Sequence, residues 1–241
     1  MQTNKYTGGE YLEQVPDWHV GDSEWKSGLV FEMIHRHQLT PRSLVDIGCG
    51  AGNILARLQE RMPEEVELSG YDVSPQAIEL CRTRANDRLS FFNEDFLEAK
   101  LARFDLALLL DVFEHVPDYL GFLKALSTRA RHFIFHIPLD SHVTSVARNS
   151  NHMLHMRERY GHLHYFTPET ALATLQDTGY EVVDTLYSWD NERFHPTVKE
   201  FFTSPASSLF QSFDRMVFKL RPEWAARFRP HFNLLVLARP A

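Results

Sequence analysis

The chain has 241 residues, of which 44% are hydrophobic and 24% charged, which is ordinary for a globular protein. Its formal net charge of -7 argues against non-specific nucleic-acid binding, so we expect no nucleic-acid partner. The two cysteines, Cys49 and Cys81, have no CxxC partner and are typical of reduced thiols in a cytoplasmic protein. The longest apolar run covers residues 106–110, which predicts no stable membrane insertion, and the polar first ten residues predict no signal peptide.

Strand and helix patterns alternate from residue 43 to residue 181, which predicts a parallel sheet with helices on both faces. An N-cap residue followed by proline, at Ser74-Pro75 and at Thr167-Pro168, predicts the start of two helices. The first of them is predicted to end near Asn86. The seven predicted strands are Ser43–Gly48, Val66–Tyr71, Leu89–Asn93, Phe104–Leu110, His132–Ile137, Tyr180–Tyr187 and Phe232–Ala238. The sequence therefore predicts an α/β fold with a doubly wound, mainly parallel seven-stranded sheet.

Three glycines connect the first predicted strand to the helix that follows it, in the order Gly48, Gly50, Gly52. Glycines at this position allow a tight turn and a close approach of a ligand to the backbone. The spacing is GxGxG, whereas the dinucleotide fingerprint is GxGxxG and would need glycine in place of Asn53, so NAD is disfavoured. Asp72 ends the second strand, where its carboxylate can accept hydrogen bonds from two ribose hydroxyls.

Four motifs, DIGCGAG, GYDVS, NEDF and LLLDVFEHV, resemble those of the class I S-adenosylmethionine-dependent methyltransferases in order and spacing. The resemblance extends from residue 43 to about residue 238. It implies a Rossmann-like fold with an antiparallel seventh strand, and S-adenosyl-L-methionine as the cofactor. The residues that it implies as cofactor contacts are Asp46, Gly48, Gly50, Gly52, Asp72, Val73, Asp95, Phe96 and Asp111.

The resemblance also assigns roles to these residues. The glycines pass under the methionine part of the cofactor, and Asp72 holds both ribose hydroxyls. Asp95 accepts from the adenine amino group, and the Phe96 backbone amide meets the ring. Asp46 orders the loop or meets the cofactor amino group, and Asp111 lies where the acceptor and the methionine part meet.

The segment before the first strand resembles a WH...S.WK pattern found ahead of the core in some members of this family. In those enzymes it folds over the cofactor, so Lys26 is expected to pair with the cofactor carboxylate. Trp18 or Trp25 is expected to face the sulfonium, where a cation–π contact is worth roughly 0.5–2 kcal/mol. Alternatively, both tryptophans pack the first helix against the sheet.

The segment after the fourth strand indicates which class of molecule accepts the methyl group. Family members that methylate adenine or cytosine amino groups carry Asn/Asp-Pro-Pro-aromatic there, whereas this chain has residues 111–116, DVFEHV. That form resembles small-molecule methyltransferases, and we interpret Glu114-His115 as a family-typical turn. We therefore predict methyl transfer to a small-molecule nucleophile, with oxygen as the preferred atom. The alternatives are a nitrogen- or carbon-directed enzyme, and a non-catalytic cofactor-binding or regulatory module.

Seven of the 13 histidines lie between His132 and His164. His136 ends the fifth strand, at the edge where open α/β sheets bind ligands, and is the first candidate for a general base. His164 and His162 are the next candidates, and His19 follows; the alternative for His136 is a hydrogen bond to a loop carbonyl. The pairs at 152/155 and 162/164 lack a nearby cysteine or a clear carboxylate ligand, so the sequence predicts no metal site.

We predict a single methyltransferase domain in four parts. Residues 1–42 form an N-terminal flap, 43–187 the cofactor-binding core, 188–231 a lid insertion and 232–241 the last strand. Residues 194–232 are rich in phenylalanine and basic side chains. For this segment a lid, a homodimer face and a membrane-surface helix are the alternatives, and a core-plus-lid role is preferred. Its predicted amphipathic stripe is Leu209, Phe213, Val217 and Leu220.

Overall fold

The computed structural model describes Gly8 and residues 20–99, 102–147, 151–189, 216–228 and 230–241. Trp18 and His19 lie outside these residues. So do most of the predicted lid and two members of its amphipathic stripe, Leu209 and Phe213. In the described part of that segment, Val217 packs against the core, whereas Leu220 is largely exposed.

Seven strands form a single sheet in the order β3-β2-β1-β4-β5-β7-β6. Strands β1 to β5 run parallel, and β7 is antiparallel to both of its neighbours. This arrangement confirms the predicted doubly wound, mainly parallel fold. The strands are β1 Ser43–Ile47, β2 Glu67–Asp72, β3 Leu89–Asn93, β4 Phe104–Leu110, β5 Ala130–Pro138, β6 Tyr180–Trp189 and β7 Phe232–Pro240.

Helices connect the strands across both faces of the sheet. They are α1 Ser23–Arg36, α2 Asn53–Gln59, α3 Pro75–Cys81, α4 Tyr119–Leu126, α5 Val143–Ala147, α6 His152–Arg159, α7 Pro168–Asp177 and α8 Pro222–Phe228. Among the described residues no helix is both long enough and apolar enough to cross a membrane.

The two predicted cap-then-proline starts are present. The Ser74 hydroxyl accepts a hydrogen bond from the Ala77 amide at 3.3 Å, and Thr167 begins α7 with a capping box. Helix α3 is shorter than predicted, because a 3-10 turn follows Cys81 and Asn86 then forms an antiparallel bridge with Leu89.

Both faces of the central strands are buried, as expected for parallel strands between two helical layers. In β4, Leu106 and Leu108 pack with α1 and α2, whereas Ala107 and Leu109 pack with the layer that contains α4 and α7. Helix α1, which lies within the predicted flap, contributes Val30, Met33 and Ile34 to the first layer. With both faces covered, the carboxyl edge of the parallel strands is the part of the sheet where polar residues gather.

Candidate active site

The glycine loop after β1 has a backbone conformation that residues other than glycine rarely adopt. Gly48, Gly50 and Gly52 have φ angles of 77°, 53° and 76°. A Cβ atom at Gly48 would lie 2.8 Å from Val112 Cγ2, and one at Gly52 would lie 2.6 Å from the Phe91 ring. The loop therefore requires glycine for backbone reasons as well as for space, and it leaves bare backbone available to a ligand.

Asp72, at the end of β2, stabilises this loop through hydrogen bonds. Its Oδ2 accepts a hydrogen bond from the Gly50 amide at 2.9 Å, and its Oδ1 accepts one from the Ser74 amide at 2.8 Å. Each carboxylate oxygen has a second lone pair, so the predicted contacts with ribose hydroxyls are compatible with this geometry. Burial raises the pKa of Asp72, although the two backbone amides act in the opposite direction.

Asp46, in β1, precedes the glycine loop and is only 2% exposed. Its Oδ1 has no hydrogen-bond partner among the described residues. Burial, together with the nearby charge of Asp72, raises the pKa of Asp46 to about 7. A buried carboxylate without a partner is costly, so this position fits a cationic group such as the ammonium of the cofactor that the resemblance implies.

The predicted adenine contacts follow β3 at the same edge. Asp95 is exposed and accepts a hydrogen bond from the Leu97 amide at 2.9 Å. Phe96 is buried and meets Tyr71 edge to face, with ring centroids 5.2 Å apart. Val73 is 42% exposed beside Asp72. The structure thus brings the predicted cofactor residues of three neighbouring strands to one edge of the sheet.

A triad of polar side chains, Lys26, Asp111 and His136, lies at the end of β4. Lys26 Nζ donates a hydrogen bond to Asp111 Oδ2, and His136 Nδ1 lies 2.5 Å from Asp111 Oδ1. Asp111 has a φ of 58°, which is uncommon for a residue with a side chain. Burial acts to raise the pKa of Asp111, but the charges and hydrogen bonds of His136 and Lys26 hold it well below its usual range.

His136 is engaged on both sides in this structure. It is 1% exposed, its Nε2 lies 3.5 Å from Ser188 Oγ, and its ring meets Trp25 edge to face at 5.5 Å. The partner of the ring is therefore the Asp111 carboxylate, rather than the loop carbonyl considered as the alternative. The predicted role as a base remains a prediction, as does the pairing of Lys26 with the cofactor carboxylate.

A second polar cluster, which the sequence did not reveal, lies next to the triad. It contains Glu114, His115, Asp140 and His162. His162 Nδ1 lies 2.5 Å from Asp140 Oδ2, and the His115 and His162 rings meet at 4.9 Å. Glu114 is fully buried, and burial followed by the charge of Asp111 raises its pKa well above the usual range.

The backbone explains why these side chains meet. Glu114 and His115 lie in a 3-10 turn just after β4, and the Glu114 carbonyl accepts hydrogen bonds from the Leu163 and His164 amides at 2.8 and 3.2 Å. His162 is thereby held beside the turn, while His164 turns away to bring its Nε2 3.0 Å from the Val116 carbonyl. A contact between segments about 48 residues apart leaves no local pattern in the sequence.

The sheet order, the antiparallel β7 and the glycine loop define a class I S-adenosylmethionine-dependent methyltransferase. The chain belongs to the methyltransferase domain family, whose profile matches residues 22–185. A structural neighbour supports the fold: magnesium protoporphyrin IX methyltransferase from Synechocystis, solved with bound SAH, superposes with a TM-score of 0.58 at 15% identity, covering 93% of this chain and 85% of that one.

Two curated relatives differ in their acceptors. The tRNA U34 carboxymethyltransferase of Sulfurimonas denitrificans is 32% identical over 115 residues, which cover 44% of this chain and 37% of the relative. The ubiquinone biosynthesis O-methyltransferase of Idiomarina loihiensis is 28% identical over 97 residues, 38% of this chain and 39% of the relative. The matched residues thus cover well under half the length of either relative.

The expectation of no nucleic-acid partner was wrong, because the first relative is named for a tRNA substrate. That expectation rested on the net charge, which reflects the whole surface.

Proposed function

We propose that this protein transfers the methyl group of S-adenosylmethionine to an oxygen atom of a small-molecule acceptor. The observation that carries the proposal is the meeting, at one sheet edge, of the braced glycine loop with the triad of Lys26, Asp111 and His136. The loop provides the features of a cofactor site. The triad and its neighbouring histidines provide polar groups where an acceptor would approach.

The protein's contribution is alignment of the reacting groups and exclusion of water. The bound cofactor would supply a methyl group on a sulfonium sulfur: the acceptor oxygen would attack the methyl carbon in line with the carbon–sulfur bond, and that bond would break to release the neutral thioether. Gly48, Gly50 and Gly52 admit the methionine part, Asp72 holds the ribose and Asp46 receives the ammonium. Asp95 and Phe96 hold the adenine.

An oxygen acceptor is supported by the relative named as an O-methyltransferase. A carboxylate acceptor would need no base, whereas a neutral hydroxyl would need one. His136 remains the first candidate. Asp111 holds its Nδ1, so Nε2, which lies 3.5 Å from Ser188 Oγ, is the nitrogen that would take the proton. His164 and His162 are the next candidates for the general base.

A nucleic-acid acceptor is the second candidate, and the relative named for tRNA U34 supports it. The two candidates differ in what the site must admit, since a tRNA would have to present a single exposed nucleotide to this edge.

A transfer assay tests the proposal. The protein is incubated with S-adenosylmethionine carrying a radiolabelled methyl group, together with separate panels of phenols, carboxylic acids, amines and unmodified tRNA. Label in a phenol or carboxylic acid fraction supports the proposal, and label only in tRNA favours the second candidate. Tight cofactor binding with no label in any fraction supports a regulatory module instead.

A further inference from the structure

We propose that Glu114, His115 and His162 bind a divalent transition-metal ion at the carboxyl edge of the sheet. One oxygen or nitrogen atom from each of these residues lies within 4.8 Å of the others. Two imidazoles and one carboxylate form a donor set that suits Zn²⁺ and the neighbouring divalent ions.

The spacing of the donors fits a single ion after a small contraction. Ligand atoms at roughly 2.0–2.2 Å from an ion are at most about 4.4 Å apart. His115 Nε2 and Glu114 Oε1 already lie 3.8 Å apart. No two of the three donor atoms are more than 4.8 Å apart, so a contraction of about 0.4 Å brings all of them within that limit. The hydrogen bonds to the Glu114 carbonyl hold the two segments together.

The Glu114 carboxylate provides an independent observation that points to a cation. The residue is 0% exposed, and neither of its carboxylate oxygens has a hydrogen-bond partner among the described residues. A buried carboxylate is normally paired or bound to a metal, because its desolvation is otherwise uncompensated. A bound ion would supply the missing partner.

His162 is already oriented as a metal ligand would be. Its Nδ1 is held by Asp140 Oδ2, which is itself only 7% exposed, so Nε2 is the atom available to an ion. Metal-bound histidines commonly donate their other ring nitrogen to a carboxylate, which fixes the tautomer and the ring orientation. The expectation of no metal site rested on the lack of a nearby cysteine or a clear carboxylate ligand for the pairs at 152/155 and 162/164. The fold brings Glu114 and His115 to His162 from a different segment.

Three protein ligands leave coordination positions open, as in metal sites that also bind a substrate. An acceptor hydroxyl bound at such a position would lose its proton more easily, since a divalent cation lowers the pKa of an oxygen ligand. This role rests on the proposed function, whereas the binding site itself does not.

Metal binding is tested directly with tag-free, chelator-treated protein. Titration with Co²⁺ should give visible absorption bands with one ion per chain, and calorimetry with Zn²⁺ should give the same stoichiometry. Glu114→Gln and His162→Gln should each weaken binding by at least about 10-fold, the order expected for loss of a ligand or its support. The matched controls Glu64→Gln and His155→Gln, both at exposed positions, should bind like the parent.

Circular dichroism of each variant shows whether it is folded, and Glu114→Gln keeps the size and shape of the side chain, so it should retain the fold. The proposal is overturned if the folded parent binds neither ion at micromolar concentrations. It is also overturned if binding persists unchanged in both ligand variants, or is lost equally in the controls. Because the readout is metal binding, a failed transfer assay leaves this result unaffected.

Discussion

Lys26 in helix α1 donates a hydrogen bond to Asp111 at the end of β4, so the segment that precedes the sheet is tied to the centre of the candidate active site. The Lys26 side chain is 9% exposed and that of Asp111 26%. The same carboxylate also holds His136. One acidic side chain thus connects an N-terminal helix, the fourth strand and the fifth.

We expect Lys26→Met to lower the free energy of unfolding by about 1–3 kcal/mol, because Asp111 would keep His136 as its partner but lose its cationic one. Asp111→Asn in the same background should restore part of the loss, giving a non-additive double-mutant cycle in urea unfolding. Lys124→Met, at an exposed position, is the control and should change stability by less than about 0.5 kcal/mol. Additive effects of the two substitutions would show that the pair contributes no coupling.

The sequence predicted the sheet because its strands and caps are local signals. Ser74-Pro75 and Thr167-Pro168 begin helices as predicted, and the glycine spacing correctly indicated the loop after β1. The cluster around Glu114 was missed because it depends on a loop from a distant segment docking on a turn. The burial of a single acidic residue depends on the tertiary structure, and the hydrophobic periodicity of the sequence does not predict it.

Asp72→Asn should weaken cofactor binding by roughly 10–10²-fold, since the neutral amide keeps one acceptor oxygen and loses one hydrogen bond to a charged group, worth about 1.5–3 kcal/mol. The substitution should also loosen the loop, because Asp72 accepts from the Gly50 and Ser74 amides. Calorimetric titration with S-adenosylhomocysteine, alongside thermal unfolding, separates these effects. Asp87→Asn, at an exposed position, should leave both unchanged. Affinity within a few-fold of the parent would remove Asp72 from the cofactor site.

Gly52→Ala should abolish measurable cofactor binding and lower stability by about 1–3 kcal/mol. The new methyl group would meet the Phe91 ring at 2.6 Å and Cys81 Sγ at 2.9 Å, at a φ that alanine disfavours. Gly28→Ala is the matched control, because its Cβ has no neighbour closer than 4.0 Å and lies within α1. It should stabilise the protein slightly, by about 0.5–1 kcal/mol. Equal behaviour of the two variants would show that the loop tolerates a side chain.

The raised pKa of Asp46 predicts a pH dependence of the ligand-free protein. The folded state holds the Asp46 proton up to about pH 7, whereas an unfolded carboxyl loses it near 3.8, so stability should fall as pH rises through this interval. The loss amounts to about 4 kcal/mol at most. Asp46→Asn should remove this part of the decline in urea unfolding measured from pH 5 to pH 8. An unchanged pH profile in the variant would contradict the assignment.

The most direct test of the proposed function identifies the atom that receives the methyl group. The protein is incubated with S-adenosylmethionine labelled with carbon-13 in the methyl group, using an acceptor found in the transfer assay, and the product is examined by nuclear magnetic resonance. We predict a new labelled signal in the methoxy or methyl ester region, absent with Gly52→Ala protein and present with Gly28→Ala protein. A labelled signal in the N-methyl, S-methyl or C-methyl region would contradict transfer to oxygen.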